Sequence, residues 1–352
     1  MKTQDQGAPP LSSNQVEQRL TDDELGHAAE LLSRLKKTLK TVIIGQDELL
    51  ENVMTALLAR GHVLLEGLPG LGKTALARAL SASLKLDTRR VQFTPDILPG
   101  DITGVPVLRE LNGTRVFQFE KGPIFTNVFL ADEINRAGPK TQSALLQAME
   151  EKKVSVQGIT YELPRPFFVI ATQNPIDLEG TYPLPEAQLD RFLFKLQVCK
   201  VNEDILEQLI LRQNYGEEIV TEPCVNAEEL EFLLAAARRI HLSPVVAGYI
   251  SRLVAATHPD NRYNLQGVRF GASARAALGL AAAARARALL NNRSHASFED
   301  VAAVSQAVFG HRIILDYRAR LDGVTTESFV ESLLKTVPRH IKETSPLLHE
   351  EN

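Results

Sequence analysis

Tryptophan is absent from the 352 residues, and Cys199 and Cys224 are the only cysteines. Neither lies in a C-x-x-C pair or a Cys/His cluster, so a disulfide scaffold and a thiolate metal centre are not expected. Both read as reduced thiols of a cytoplasmic protein. No uninterrupted apolar run approaches the roughly 18–20 residues that span a bilayer, so no membrane insertion is expected. The opening MKTQDQGAPPLSSNQ is polar and lacks an apolar h-region, so a secretory signal is not expected either. An excess of positive charge is also missing. The formal net charge of −4 argues against a mainly electrostatic binder of nucleic acid or membrane, although a local basic patch could hide within it. The eight histidines are scattered and read as structural side chains.

What is present suits a globular protein: 44% hydrophobic and 23% charged residues. At this length a single core is uncomfortable, and two domains are expected. Residues 1–20, rich in Gln, Ser, Pro and Gly, read as a disordered tail. A helix starts near Thr21, where Asp22, Asp23 and Glu24 suit the positive helix end. Helices follow over about 47–59, Lys73–Lys85 and about 138–151. Between them come apolar strands at His62–Glu66, Arg89–Phe93 and Val128–Ala131, then two more in PFFVIATQNP and FLFKLQV. This alternation indicates a parallel α/β sheet in a domain spanning 21–199.

Two hairpins interrupt the alternation. Pro95, Pro99, Gly100, Gly104 and Pro106 forbid a long helix, and VLRELNGTRVFQF then sets Asn112-Gly113 between alternating segments. A smaller one pairs VSV with ITY around Gln157-Gly158. Beyond residue 199 the periodicity is helical, near 203–214, 227–240, 244–258, 273–291, 298–308 and 326–336. An all-α second domain over 200–343 is expected, then a tail at 344–352. No internal repeat is evident.

Gly67-Leu68-Pro69-Gly70-Leu71-Gly72-Lys73-Thr74 fits the P-loop pattern and lies where the chemistry requires, after a strand and opening a helix. Its backbone N–H groups and the helix end form an anion cradle. Lys73 is expected to reach the β- and γ-phosphates, and the Thr74 hydroxyl to bind Mg²⁺. Val128–Ala131 runs into Asp132 and Glu133, which places both carboxylates at the C-terminal edge of the sheet, where ligands bind in open α/β folds. Asp132 is expected to hold Mg²⁺ through water, and Glu133 to orient and deprotonate the attacking water. The alternative is a helix-capping acid pair before Asn135. Asn174 ends the next strand, where its amide could position that water or could simply start a turn before Pro175. Arg275 opens an Ala-rich helix, where a cation opposes the macrodipole by roughly 0.3–1 kcal/mol unless an anion is held there. It could reach across from the second domain to a nucleotide. Arg191 is fixed where a short helix meets a strand, in YPLPEAQLDRFLFKLQV. Asp190 beside it points away, so Arg191 needs another anion.

Together these residues resemble the MoxR family of AAA+ ATPases. The matching stretches are GHVLLEGLPGLGKT, VQFTPDILPGDITG, FEKGPIFTNVFLADEINRAGPKTQSALLQAMEE, VIATQNPIDLEGTYPLPEAQLDRFLF and GASARAALGLAAAARA. They run from about residue 25 to about 340. The resemblance implies an AAA+ P-loop core with a parallel sheet, a helical lid, and ATP at the interfaces of a ring, usually a hexamer. It implies two β-hairpin insertions, at about 95–119 and about 153–162. By motif match, Asn174 corresponds to sensor 1, Arg275 to sensor 2 and Arg191 to the arginine finger. The nucleotide contacts it implies are Gly67, Pro69, Gly70, Leu71, Gly72, Lys73, Thr74, Ala75, Ile44, Gly45 and Arg275, with Thr74 and Asp132 at the metal. One departure is visible: Ala274 stands where the family usually carries proline.

Arg191 then has two possible anions: the γ-phosphate on a neighbouring subunit, or a carboxylate of its own chain. The resemblance further implies a chaperone-like machine that remodels or matures a partner complex, often with a von Willebrand A domain protein. A nucleic-acid motor, a magnesium-chelatase-like subunit and a small-molecule P-loop kinase are the alternatives. A nucleic-acid grip would need basic or aromatic hairpin tips, and only Arg115, Lys152, Lys153 and Tyr161 are available. No nucleic-acid partner is expected.

Overall fold

The computed structural model describes residues 19–67, 70–111, 114–174, 180–198, 202–213 and 221–340. Residues 1–18, Pro69, the Asn112-Gly113 turn, Cys199 and the 344–352 tail therefore lie outside the described residues.

Helix α1 (Asp22–Val42) begins with a capping box: the Thr21 hydroxyl accepts from Glu24 N–H at 3.2 Å, and the Glu24 carboxylate accepts from Thr21 N–H at 2.9 Å. Then come α2 (Asp47–Leu58), β1 (Val63–Glu66), α3 (Lys73–Ser83) and β2 (Thr88–Gln92). The short helix α4 (Pro99–Thr103) leads into the first hairpin, β3 (Gly104–Leu111) and β4 (Thr114–Lys121). Strand β5 (Val128–Asp132) passes through a 3-10 turn at Ile134–Arg136 into α5 (Pro139–Glu151). The second hairpin is β6 (Lys153–Val156) and β7 (Ile159–Glu162), joined through Gln157 and Gly158, both at positive φ. That is the type I′ geometry whose twist matches its strands, and it explains why glycine occupies the second position. Strand β8 (Phe168–Gln173), α6 (Glu186–Leu189) and β9 (Phe194–Gln197) complete the core.

The core sheet has the order β2-β5-β8-β1-β9, with every pairing parallel. Its inner strands are apolar on both faces, as a sheet covered on both sides requires. Val63, Leu65, Leu130 and Ile170 face α1, α2, α3 and the lid helices. Leu64, Phe129, Val169 and Ala171 face the opposite layer, which contains α4 and α5. Strand β8 lies between β1 and β5, so residues at its end stand between the P-loop and the Asp132-Glu133 pair.

The second region is helical: α7 (Glu203–Gln213), α8 (Ala227–Arg239), α9 (Pro244–Ala256), α10 (Ala274–Leu290), α11 (Phe298–Phe309), α12 (Tyr317–Leu321) and α13 (Thr326–Thr336). It also carries two strand pairs that the helical reading did not include. Strand β10 (His241–Leu242) pairs in parallel with β12 (His295–Ala296), and β11 (Val268–Phe270) pairs antiparallel with β13 (Ile314–Leu315). At two or three residues each, they are too short for a period-2 signal. Helix α10 packs against α2, α8, α9 and α11, so the lid and the core share one apolar cluster. Among the described residues, no helix is long and apolar enough to cross a membrane.

His62, at the head of β1, is buried between the sheet and α5. Its Nδ1 accepts from Val169 N–H at 3.0 Å, which leaves the proton on Nε2, 3.2 Å from Met149 O. Burial lowers its pKa from 6.5 to about 4. His311, with Nε2 3.1 Å from Phe192 O, is also held well below its ordinary value, first by burial and then by the charge of Arg312. Unfolded, both take up protons near pH 6.5; folded, they do not. The stability present above pH 6.5 is therefore lost as the pH falls toward 4, by up to about 1.4 kcal/mol per histidine per pH unit. Urea unfolding at pH 7 and pH 5 should show a lower midpoint at pH 5, and His62→Gln should shrink the difference. Equal midpoints in the wild type would contradict this reading of the two histidines.

Candidate active site

The sheet delivers the predicted groups to one place. A cavity of about 400 Å³ is lined by Gly70, Gly72, Lys73, Thr74 and Ala75 of the P-loop side, by Asp132 at the end of β5 and Glu133 after it, and by Asn174 after β8. Arg90 and Gln92 of β2 close another wall. A larger open cavity of about 620 Å³ on the lid, around Arg252, His258 and Arg262, contains none of these residues.

Gly70 and Gly72 adopt φ of 81° and 80°, a left-handed backbone that a side chain at either position would strain. Gly67 is needed for space instead: a Cβ there would come within 2.9 Å of Val198 O. Lys73 opens α3, and its amine donates to Gly67 O. Burial lowers its pKa, opposed by the charges of Asp132, Glu133 and Glu66. Glu66 ends β1 in register with Gln173 and Gln197 on either side and receives a bond from each. Burial alone would raise its pKa, but Lys195, 3.0 Å away, and the two glutamines bring it below the ordinary value.

Asp132 is fixed through both oxygens. Thr172 donates to Oδ1 at 2.6 Å, and Arg90 donates to Oδ2 at 2.7 and 3.1 Å. The same Thr172 hydroxyl accepts from Glu133 N–H at 2.9 Å. Glu133 is held at φ 57°, ψ 50°, a left-handed conformation that costs a non-glycine residue roughly 1 kcal/mol or more. Its carboxylate faces the cavity and pairs with Arg136 at 3.0 Å. Thr74 and Asp132 both line the cavity and offer hydroxyl and carboxylate oxygens, the hard donors that Mg²⁺ prefers, so the residues present fit that cation. Asn135 donates to Asn174 O at 3.3 Å, which braces the end of β8 against the turn after β5.

Ile44 and Gly45 do not line the cavity. They form a tight turn at which a Cβ on Gly45 would meet Ile205 of α7 at 1.9 Å, and Gln46 ties the turn to the P-loop through Leu71 O at 3.3 Å. Arg191 and Arg275 are also outside it. Arg191 donates to Leu146 O at 2.8 Å and pairs with Glu150 at 3.1 Å. Arg275, in the first turn of α10, pairs with the same Glu150 and with Asp190 at 3.2 Å. The structure thus gathers Lys73, Thr74, Asp132, Glu133 and Asn174, and sets Arg191 with Arg275 elsewhere on a shared carboxylate. Sequence reasoning missed Arg90, Gln92 and Thr172. Arg90 and Gln92 share one face of β2 by period 2, and Thr172 is the polar residue of a buried run; these were the available signals.

Comparison with known proteins agrees with this geometry. Residues 62–194 match the model of the ATPase family associated with various cellular activities (AAA), and residues 264–333 match the AAA lid domain. The chain is 41% identical to Chaperone MoxR1 of Mycobacterium tuberculosis, over 89% of this chain and 84% of that one. It is 31% identical to Protein MoxR of Methylorubrum extorquens, over 87% of this chain and 94% of that one. The crystal structure of an ATPase candidate from Cytophaga hutchinsonii superposes with a TM-score of 0.83 at 36% identity, covering 90% of this chain and 97% of the other.

Thr172 gives a direct test of how the two acids are held. Thr172→Val removes the donor to a buried carboxylate and the acceptor for Glu133 N–H, and should cost about 1–3 kcal/mol in urea unfolding. Thr172→Ser, which keeps the hydroxyl, should cost less. A valine variant as stable as the wild type would show that the network contributes nothing.

Proposed function

Since this chain belongs to the MoxR family of AAA+ ATPases, we propose that it binds Mg²⁺·ATP in the P-loop cavity and hydrolyses it to ADP and phosphate within a cytoplasmic ring, usually of six subunits. The observation that carries this reading is the meeting of Lys73, Thr74, Asp132, Glu133 and Asn174 around one cavity. Backbone N–H groups of the P-loop and the Lys73 amine hold the phosphates. Thr74 and Asp132 would hold Mg²⁺, which would supply charge neutralisation for the phosphates. Glu133 takes the proton of the attacking water, and the Asn174 amide orients that water. Ile44 and Gly45, whose turn Gln46 ties to the P-loop, contact the base side of the nucleotide outside the phosphate cavity.

Arg191 supplies the remaining charge to the γ-phosphate of a neighbouring subunit, an effect of roughly 10³–10⁵ in rate in GTPases. Its place outside its own chain's cavity supports this reading, whereas its pairing with Glu150 is the own-chain alternative. The same carboxylate holds Arg275, which favours joint delivery of the two cations over a contact of Arg275 with its own nucleotide.

The output is chaperone-like remodelling or maturation of a partner complex, in keeping with the name of the relative Chaperone MoxR1. The hairpins are the surfaces for it. Leu108 and Phe117 face each other across β3 and β4 and are 51% and 69% exposed, an apolar pair suited to a protein partner such as a von Willebrand A domain. A nucleic-acid grip has less support. Tyr161 is stacked on Phe119 with ring centroids 4.3 Å apart, and Lys153 is paired with Glu162 at 3.1 Å.

Three variants separate the roles. Lys73→Ala should lose nucleotide binding, whereas Glu133→Gln should bind ATP and stall. Arg191→Ala should bind ATP normally and turn over slowly, and mixing it with Lys73→Ala chains should restore part of the turnover. Wild-type turnover by Glu133→Gln would remove it as the base, and failure of the mixture to recover would return Arg191 to a role within its own chain.

A further inference from the structure

Arg312, just beyond α11, is a buried cation that the hydrolysis reading does not use. It is 8% exposed, and every one of its guanidinium donors is engaged. Nε donates to Asp190 Oδ1 at 2.6 Å. Nη1 donates to Leu193 O at 3.0 Å and Val308 O at 2.6 Å, and Nη2 to Asp190 O at 3.0 Å and Phe192 O at 2.6 Å. Four of these five acceptors belong to residues 190–193, the segment that carries Arg191. A guanidinium has five N–H groups in a rigid plane, so this set uses its full capacity and leaves no rotational freedom.

Two neighbouring contacts fasten the same segment to the lid. His311 places Nε2 3.1 Å from Phe192 O. Leu193 packs so closely on α10 that a Cβ at Gly279 would come within 2.9 Å of its Cδ1. Burial disfavours the charge of Arg312, and the bond and charge of Asp190 oppose that effect. A surface salt bridge would be simpler for fold stability alone, because a buried ion pair gains little over apolar packing. What the buried arrangement adds is a single orientation between two parts of the chain.

We infer that Arg312 is a positioning residue: it ties the Asp190–Leu193 backbone to the lid and so couples the placement of Arg191, whose side chain α5 holds, to the position of the lid. This rests on the reading that Arg191 serves a neighbouring subunit's phosphate. Under it, any lid displacement that follows events at a chain's own nucleotide is transmitted by Arg312 to the arginine that the chain presents to its neighbour. Communication around the ring then runs through a bundle of four hydrogen bonds. No reaction step changes; only the placement of a cation does.

Arg312→Lys keeps the charge but offers a single flexible ammonium for five acceptors. A displacement of Arg191 by about 1 Å should cost on the order of 10²-fold in turnover. Affinity for a fluorescent ADP analogue should not change, because the cavity does not involve Arg312. Mixing Arg312→Lys with Lys73→Ala chains should restore turnover as Arg191→Ala mixtures do, since the Lys73→Ala chain presents a sound Arg191 to the intact cavity. Lost nucleotide affinity with no recovery on mixing would show a general structural role and overturn the inference, as would wild-type turnover. If Arg312→Lys does not fold, Asp190→Asn removes the charge facing Nε and should show the same pattern more weakly; unchanged turnover there would also overturn it. Recovery by neither Arg191→Ala nor Arg312→Lys mixtures would instead bring down the underlying reading of Arg191.

Discussion

Parallel strands impose a direction on this molecule, and the direction keeps the P-loop and Arg191 apart. The P-loop follows the C-terminal end of β1, whereas Arg191 precedes the N-terminal end of β9, and the two strands pair side by side from Val63 with Phe194 to Glu66 with Gln197. Four residues at about 3.3 Å each put roughly 13 Å of sheet between those edges. Arg191 is anchored at its edge by Leu146 O and Glu150, near the C-terminal end of α5. The guanidinium and the phosphate cradle of one chain therefore do not share an edge of the sheet. In the proposed ring, a second chain would bring them together.

The cradle itself is built to be rigid. Both oxygens of Asp132 are held, by Thr172 and by Arg90, and Thr172 also fixes the backbone of Glu133. Buried polar groups satisfied in this way define one arrangement, because each alternative leaves a donor or acceptor unpaired. The left-handed backbone of Glu133 stores strain at a residue that lines the cavity, and the surrounding bonds hold it there. At the far edge, a chain of charges runs from Arg191 through Glu150, Arg275 and Asp190 to Arg312 and joins the core to the lid.

Much of this was legible in the sequence. The five core strands, their intervening helices and both hairpins follow from apolar runs, first-turn acids and turn dipeptides, since those signals are local. The P-loop and the Asp132-Glu133 pair are legible because their chemistry demands fixed residues at fixed spacing after a strand. The resemblance supplied the sheet's relation to the lid, which no local pattern encodes. Strand order was not legible from residues: β8 lies between β1 and β5 although it follows both in the chain. The lid's short strands and α12 fall below the length at which periodicity can speak. Thr172, Arg90 and Arg312 matter through partners 40, 42 and 122 residues away, and sequence distance hides such pairs.

The claim on which the rest depends is that the catalytic charge set is completed by a second chain. Specific ATPase activity per chain, measured across a protein dilution series alongside sedimentation, tests it most directly. Activity should rise with the associated fraction and fall toward the basal rate as the chains separate. Full activity per chain at dilutions where only monomers sediment would contradict it.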